Sequence, residues 1–145
     1  MAGKNDGSKR GRWLVKTEPG CYSYSDLERD GKTIWDGVTN NLALKHLRSI
    51  KKGDAVLVYH TGDEKAVTGL AEAVSDPYPD PTQNDVKLAV VDLKPKKACR
   101  RSLSLGEIKG LKEMADSPLV RMPRLSVMPL TDKEWDKLTD LTGLS

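Results

Sequence analysis

Thr33-Ile34-Trp35-Asp36-Gly37-Val38-Thr39-Asn40 is the stretch around which the rest of the chain is arranged. Thr33, Ile34 and Trp35 favour an extended backbone, and Asp36-Gly37 is a turn dipeptide, so a short strand stops here. Thr39 and Asn40 then offer N-cap side chains just ahead of Leu42, Ala43, Leu44, Leu47 and Ile50, whose spacing is one apolar face of a helix. A strand handing over to a helix sets a large flat ring beside free backbone N–H groups, which suits a planar heterocycle such as a nucleobase. The same pattern suits a tryptophan that plugs the core, and local spacing does not separate the two readings.

Upstream, Trp13-Leu14-Val15-Lys16-Thr17 reads as a first strand that stops at Pro19-Gly20. Ser23 and Asp26 are spaced as a capping box, Gly31 ends the helix they open, and Tyr22 and Tyr24 read as packing residues. Downstream, residues 54–60 and 65–74 form an antiparallel hairpin through Thr61-Gly62-Asp63, with Gly69 marking a bend. Tyr59 and His60 point to opposite faces because side chains alternate along a strand. Residues 76–81, with three prolines, read as an exposed loop. Residues 85–93 are a further strand ending at the basic loop Lys94-Pro95-Lys96-Lys97, which with Arg100-Arg101 concentrates positive charge between elements. Ser104 and Glu107 cap a short helix, Pro118 marks a break, and residues 121–129 are a last strand bounded by prolines. Thr131 and Glu134 cap a final helix with Trp135, Leu138 and Leu141 on one face. About five or six strands interleaved with short helices make an α+β protein on a mostly antiparallel, curled sheet.

The chain has 145 residues, 37% hydrophobic and 31% charged, which is room for one domain with a real core and unlike a disordered polymer. Residues 1–12 read as a flexible basic tail and residues 13–145 as the domain. No apolar run approaches a membrane span and no signal-peptide core is visible, so a cytoplasmic protein without a membrane partner is expected. Cys21 and Cys99 belong to no C-x-x-C pair or Cys/His cluster, so free thiols, no metal and no cofactor are expected. A net charge of +3 permits nucleic-acid binding without establishing it. Phenylalanine is absent, so every aromatic ring carries a polar tip.

Reactive motifs are missing. There is no G-x-S-x-G elbow, phosphate-cradling loop, dinucleotide fingerprint, H-E-x-x-H or base-deaminase pattern. The polar set Lys16, Glu18, Asp36, Asn40, Tyr59 and His60 supports acid–base chemistry only if it converges, which spacing does not show. A small enzyme using Glu18, Asp36 or His60 on a nucleotide or heterocycle stays open as an alternative, as does a small-molecule sensor.

Five segments, in order, carry a resemblance. They are Trp13-Leu14-Val15-Lys16-Thr17-Glu18-Pro19, Thr33-Ile34-Trp35-Asp36-Gly37-Val38 with Asn40, Gly53-Asp54 leading to Tyr59-His60-Thr61, Tyr78-Pro79-Asp80, and Arg121-Met122-Pro123-Arg124-Leu125-Ser126-Val127. Together they resemble the EVE domain family across nearly the whole chain after the tail. The resemblance implies a PUA-like fold, a small curled, mostly antiparallel β-barrel flanked by short helices and related to the YTH domains. It also implies a non-enzymatic reader of a modified base in DNA or RNA, expected to be a monomer. By position, the base pocket would draw on Lys16, Thr17, Glu18, Trp35, Asp36, Gly37, Val38, Asn40, Tyr59, His60 and Thr61. Arg12, Lys45, Arg48, Arg121 and Arg124 are the candidate phosphate contacts, which position without specifying. Thr39 stands where the family usually has Arg, removing one expected contact, and Thr61 replaces the usual Ser while keeping the hydroxyl.

Overall fold

The computed structural model describes residues 11–145. Of the expected tail, residues 1–10 lie outside the described residues, and Arg12 already opens the first strand. The strands are β1 (Arg12–Thr17), β2 (Thr33–Trp35), β3 (Ala55–His60), β4 (Ala66–Ala73), β5 (Tyr78–Pro79), β6 (Ala89–Ser104) and β7 (Val127–Pro129). The helices are α1 (Tyr24–Asp30), α2 (Asn41–Ser49), α3 (Leu105–Lys109), α4 (Pro118–Arg121) and α5 (Asp132–Thr142), with a 3-10 turn at Lys112–Met114. Among the described residues no helix is long and apolar enough to cross a membrane.

The seven strands of the described residues form one mixed, curled sheet in the order β2-β6-β4-β3-β1-β7, with β5 paired to the start of β6. The β3–β4 hairpin is antiparallel as its turn residues require, whereas β1 and β3 run parallel, from Arg12 opposite Ala55 to Thr17 opposite His60. Pairing slips between Val58 and Tyr59 and between Val67 and Gly69, and these bulges bend the sheet where a glycine interrupts β4. A side chain at Gly69 has no room, because its Cβ would come 2.4 Å from the Tyr24 ring. The Tyr24 hydroxyl enters the ladder itself, donating to the Leu70 carbonyl at 2.6 Å and accepting the Lys97 N–H at 3.1 Å.

The capping boxes of α1 (Ser23 with Asp26), α3 (Ser104 with Glu107) and α5 (Thr131 with Glu134) are all formed. Asn40 caps α2, accepting the Ala43 N–H at 3.0 Å. Three expectations need correction. The strand expected to end at Leu93 continues to Ser104, so Lys94-Pro95-Lys96-Lys97 is strand and not loop. The final strand is only Val127–Pro129, because Ser117 caps Leu119 N–H and Pro118 starts the short helix α4, where its missing donor costs nothing. The proline-rich segment contributes the two-residue strand β5.

Candidate functional site

Trp35 is the last residue of β2, paired with Val91 of β6, and Gly37 at φ +78° makes the turn that sends the chain toward α2. Trp35 is 6% exposed and belongs to the apolar cluster that includes Leu27, Leu44 and Val91. It is nonetheless a wall of an open cleft of about 400 Å³, lined also by Thr17, Cys21, Tyr22, Thr33, Ile34 and Asp36. Most of this residue packs inward, as the core reading expects, while part of it borders the cleft. Tyr22 stands edge-on to it, centroids 6.4 Å apart and planes at 84°. The Tyr22 hydroxyl is held by Asp30 at 2.8 Å, and the Thr17 hydroxyl donates to the Tyr22 carbonyl at 2.7 Å. Tyr22 and Cys21 were not foreseen as site residues. They precede a helix cap, and nothing in their local pattern signals that they fold back on Trp35.

A second recess, of about 380 Å³, is lined by Asn40, Leu42, Met122, Pro123, Arg124 and Leu125. Lys16 donates to the carbonyl of Pro123, one of the recess's lining residues, at 2.9 Å while lying 5.5 Å from the centroid of the Tyr59 ring. Burial pushes the Lys16 ammonium below its ordinary pKa and the Tyr59 phenol above its own.

The parallel register sorts the expected pocket residues. Lys16 sits opposite Tyr59 and Thr17 opposite His60, so strand alternation puts Lys16 and Tyr59 on one side of the sheet and Thr17 and His60 on the other. Thr17, Trp35 and Asp36 thus meet at the cleft, while Asn40 lines the second recess, to whose Pro123 Lys16 is hydrogen-bonded. Gly37 and the buried Val38 connect them through the chain. His60 has both ring nitrogens engaged: Nε2 accepts the Tyr24 N–H at 2.9 Å and Nδ1 faces Glu64 at 2.7 Å. The first of these bonds satisfies an N–H at the start of α1. Glu18 accepts the Gly20 N–H at 3.1 Å, and Thr61 donates its N–H to the Thr17 carbonyl at 2.9 Å, so both shape the loop that follows β1.

The five candidate phosphate contacts also divide. Arg12 pairs with Asp132 at 3.3 Å over the Trp135 ring, Arg121 is held by Ala115 and Asp116, and Arg48 donates to the Lys87 carbonyl. The exposed side chains of Lys45 and Arg124 make no ion pair or side-chain hydrogen bond among the described residues. No group of three or more His, Cys, Asp or Glu that could hold a metal occurs among the described residues. Cys99 is part-buried, its thiol pushed up to about 11 by burial, and Cys21 is exposed.

The model of the EVE domain family matches residues 11–141. Human thymocyte nuclear protein 1 is 31% identical over 163 aligned positions, covering 89% of this chain and 72% of that protein. A solved protein of Rhodopseudomonas palustris superposes with a TM-score of 0.87 at 34% identity, covering 92% of this chain and 94% of its own. Human THYN1, solved in complex with DNA containing 5-methylcytosine, superposes with a TM-score of 0.84 at 28% identity, covering 91% and 97% of the two chains. An ASCH protein of Zymomonas mobilis, 14% identical with a TM-score of 0.63 over 92% and 97%, shares the fold alone.

Proposed function

The chain belongs to the EVE domain family, and from that membership we propose that it binds nucleic acid and takes one modified base into the cleft beside Trp35, as a reader and not as an enzyme. The observation that carries this reading is the cleft itself: two rings, Trp35 and Tyr22, stand nearly perpendicular where β2 turns toward α2. Such a corner offers a flat heterocycle the half-exposed Tyr22 ring and the uncovered part of Trp35, and leaves its polar edge to the Thr17 and Asp36 side chains and to backbone groups. The human relative solved with 5-methylcytosine-containing DNA supports a modified cytosine as the first ligand to try. The catalytic alternative finds little support. His60 spends both nitrogens on structure and Glu18 braces its own loop, leaving exposed Asp36 alone among the three groups it would use.

Trp35→Ala tests the reading on matched duplexes, one plain and one with a single 5-methylcytosine. Stacking on an aromatic ring is worth roughly 1–3 kcal/mol, about fivefold to a hundredfold in affinity. The variant should lose discrimination between the duplexes while keeping the parent's salt dependence, because no phosphate contact is touched. Trp35 is also a core residue, so Tyr22→Ala is the companion, removing the half-exposed ring. Parent-like selectivity in a folded Tyr22→Ala and in a folded Trp35→Ala rejects the cleft as the base site.

A further inference from the structure

The middle of β6 carries Lys94, Lys96, Lys97, Arg100 and Arg101 within eight consecutive residues. These five cations meet two carboxylates. Glu72 takes Lys94 at 3.6 Å and Lys96 at 3.3 Å, and Glu107 takes Arg101. The exposed side chains of Lys97 and Arg100 have no acidic partner among the described residues, and the Arg100 stem lies against Gly143. On one side β6 is paired with β4 from Lys94 to Ala98 and again at Leu103, and the residues between, with Arg100 and Arg101 among them, bulge out of the ladder. On the other, β2 reaches only from Val91 to Leu93, so beyond Leu93 that edge has no strand partner among the described residues.

We propose that this ribbon is a second nucleic-acid contact, gripping the phosphate backbone of the strand or duplex whose base occupies the Trp35 cleft. The proposal rests on the reader function above. Geometry joins the two places: Trp35 pairs with Val91, and the basic run begins three residues further along that same strand. Lys94 lies opposite Glu72 and Leu103 opposite Val67, so the run bulges as it goes and its basic side chains crowd over a short length of sheet. This ribbon reads no bases. It supplies affinity common to all sequences and orients the chain so that one base falls at the cleft.

Neutralising Lys97→Gln with Arg100→Gln tests this in the full chain. Binding of a labelled duplex with one 5-methylcytosine, and of its plain counterpart, is measured between about 50 and 200 mM salt. Two lost phosphate contacts should flatten the slope of log affinity on log salt by about 2, so the parent's affinity falls roughly tenfold more than the variant's over that range. Both duplexes should weaken by the same factor at low salt. An unchanged slope overturns the proposal, as does a variant that aggregates yet binds like the parent, which would make these cations guards of an open sheet edge. If the parent binds both duplexes equally and the variant still loses the slope, the ribbon stands and the base reading falls. A parent that binds neither duplex at low salt overturns both.

Discussion

Asp54, a buried carboxylate, ties together three separate places in the chain. Its oxygens accept the Gly11 N–H at 3.0 Å, the Trp13 indole N–H at 2.9 Å and the Lys51 N–H at 2.9 Å, joining the entry to β1 with the turn after α2. Asp54→Asn keeps the shape but turns an amide NH₂ toward groups that are all donors, so at least one bond becomes a repulsion. A charge-assisted hydrogen bond is worth about 1.5–3 kcal/mol, and thermal or urea unfolding should show a loss of that order with the fold retained. Stability within about 0.5 kcal/mol of the parent would mean the clamp carries no weight. Sequence reading reached Asp54 only as part of a resemblance, because its donors lie 41 to 43 residues before it and three residues before it at once. The cleft was legible to the same partial extent. Trp35, Asp36 and Thr17 came from local pattern and family likeness, whereas Tyr22 and Cys21 came only from how α1 packs.

At the scale of elements, local signals and long-range ones separate cleanly. Each capping box reads correctly because its residues lie three apart and their bonds form inside the helix they begin. β6 reads as too short because Pro95 lacks the N–H a central strand needs. Pro95 is tolerated because beyond Leu93 the strand is paired on only one side and its register with β4 shifts between Leu70 and Ala71. The Tyr24–Gly69 contact was half legible, with Gly69 read as a bend but not as the floor under a ring from α1. Tyr24→Phe removes one hydroxyl that both donates to Leu70 and accepts from Lys97, leaving the ring in place. The expected loss is about 1–3 kcal/mol, with faster amide exchange at Lys97 than at its neighbours in β6. Exchange at Lys97 unchanged from the parent would show that the hydroxyl bonds add nothing to the ladder. Gly69→Ala should cost more, since its new methyl meets the ring of buried Tyr24 instead of a flexible tip.

At the scale of the molecule, the two ends of the chain close the fold together. β7 pairs Val127, Met128 and Pro129 with Val15, Leu14 and Trp13, more than a hundred residues earlier, and α5 sets Trp135 beneath Arg12. That the chain ends on a closing strand was legible in its last proline-bounded segment, but neither its pairing with β1 nor the parallel β1–β3 pairing was, because strand patterns announce that a segment pairs and not with which partner. Deleting residues 127–145 tests how far the sheet depends on it. The deletion removes Val127, Met128, Leu130, Trp135, Leu138 and Leu144, all buried, and uncovers the edge of β1 carrying Leu14 and Val15. At about 1.5–3 kcal/mol for each large apolar side chain, the loss is on the order of 10–15 kcal/mol, which matches the whole stability of an ordinary domain of about 5–15 kcal/mol. The truncated chain should therefore lack cooperative thermal unfolding and dispersed amide resonances, and the proposed nucleic-acid selectivity should vanish with them. A shortened chain that still melts cooperatively and still prefers the modified duplex would place the structural and functional centre in residues 11–126, with the C-terminal helix as an appendage to it.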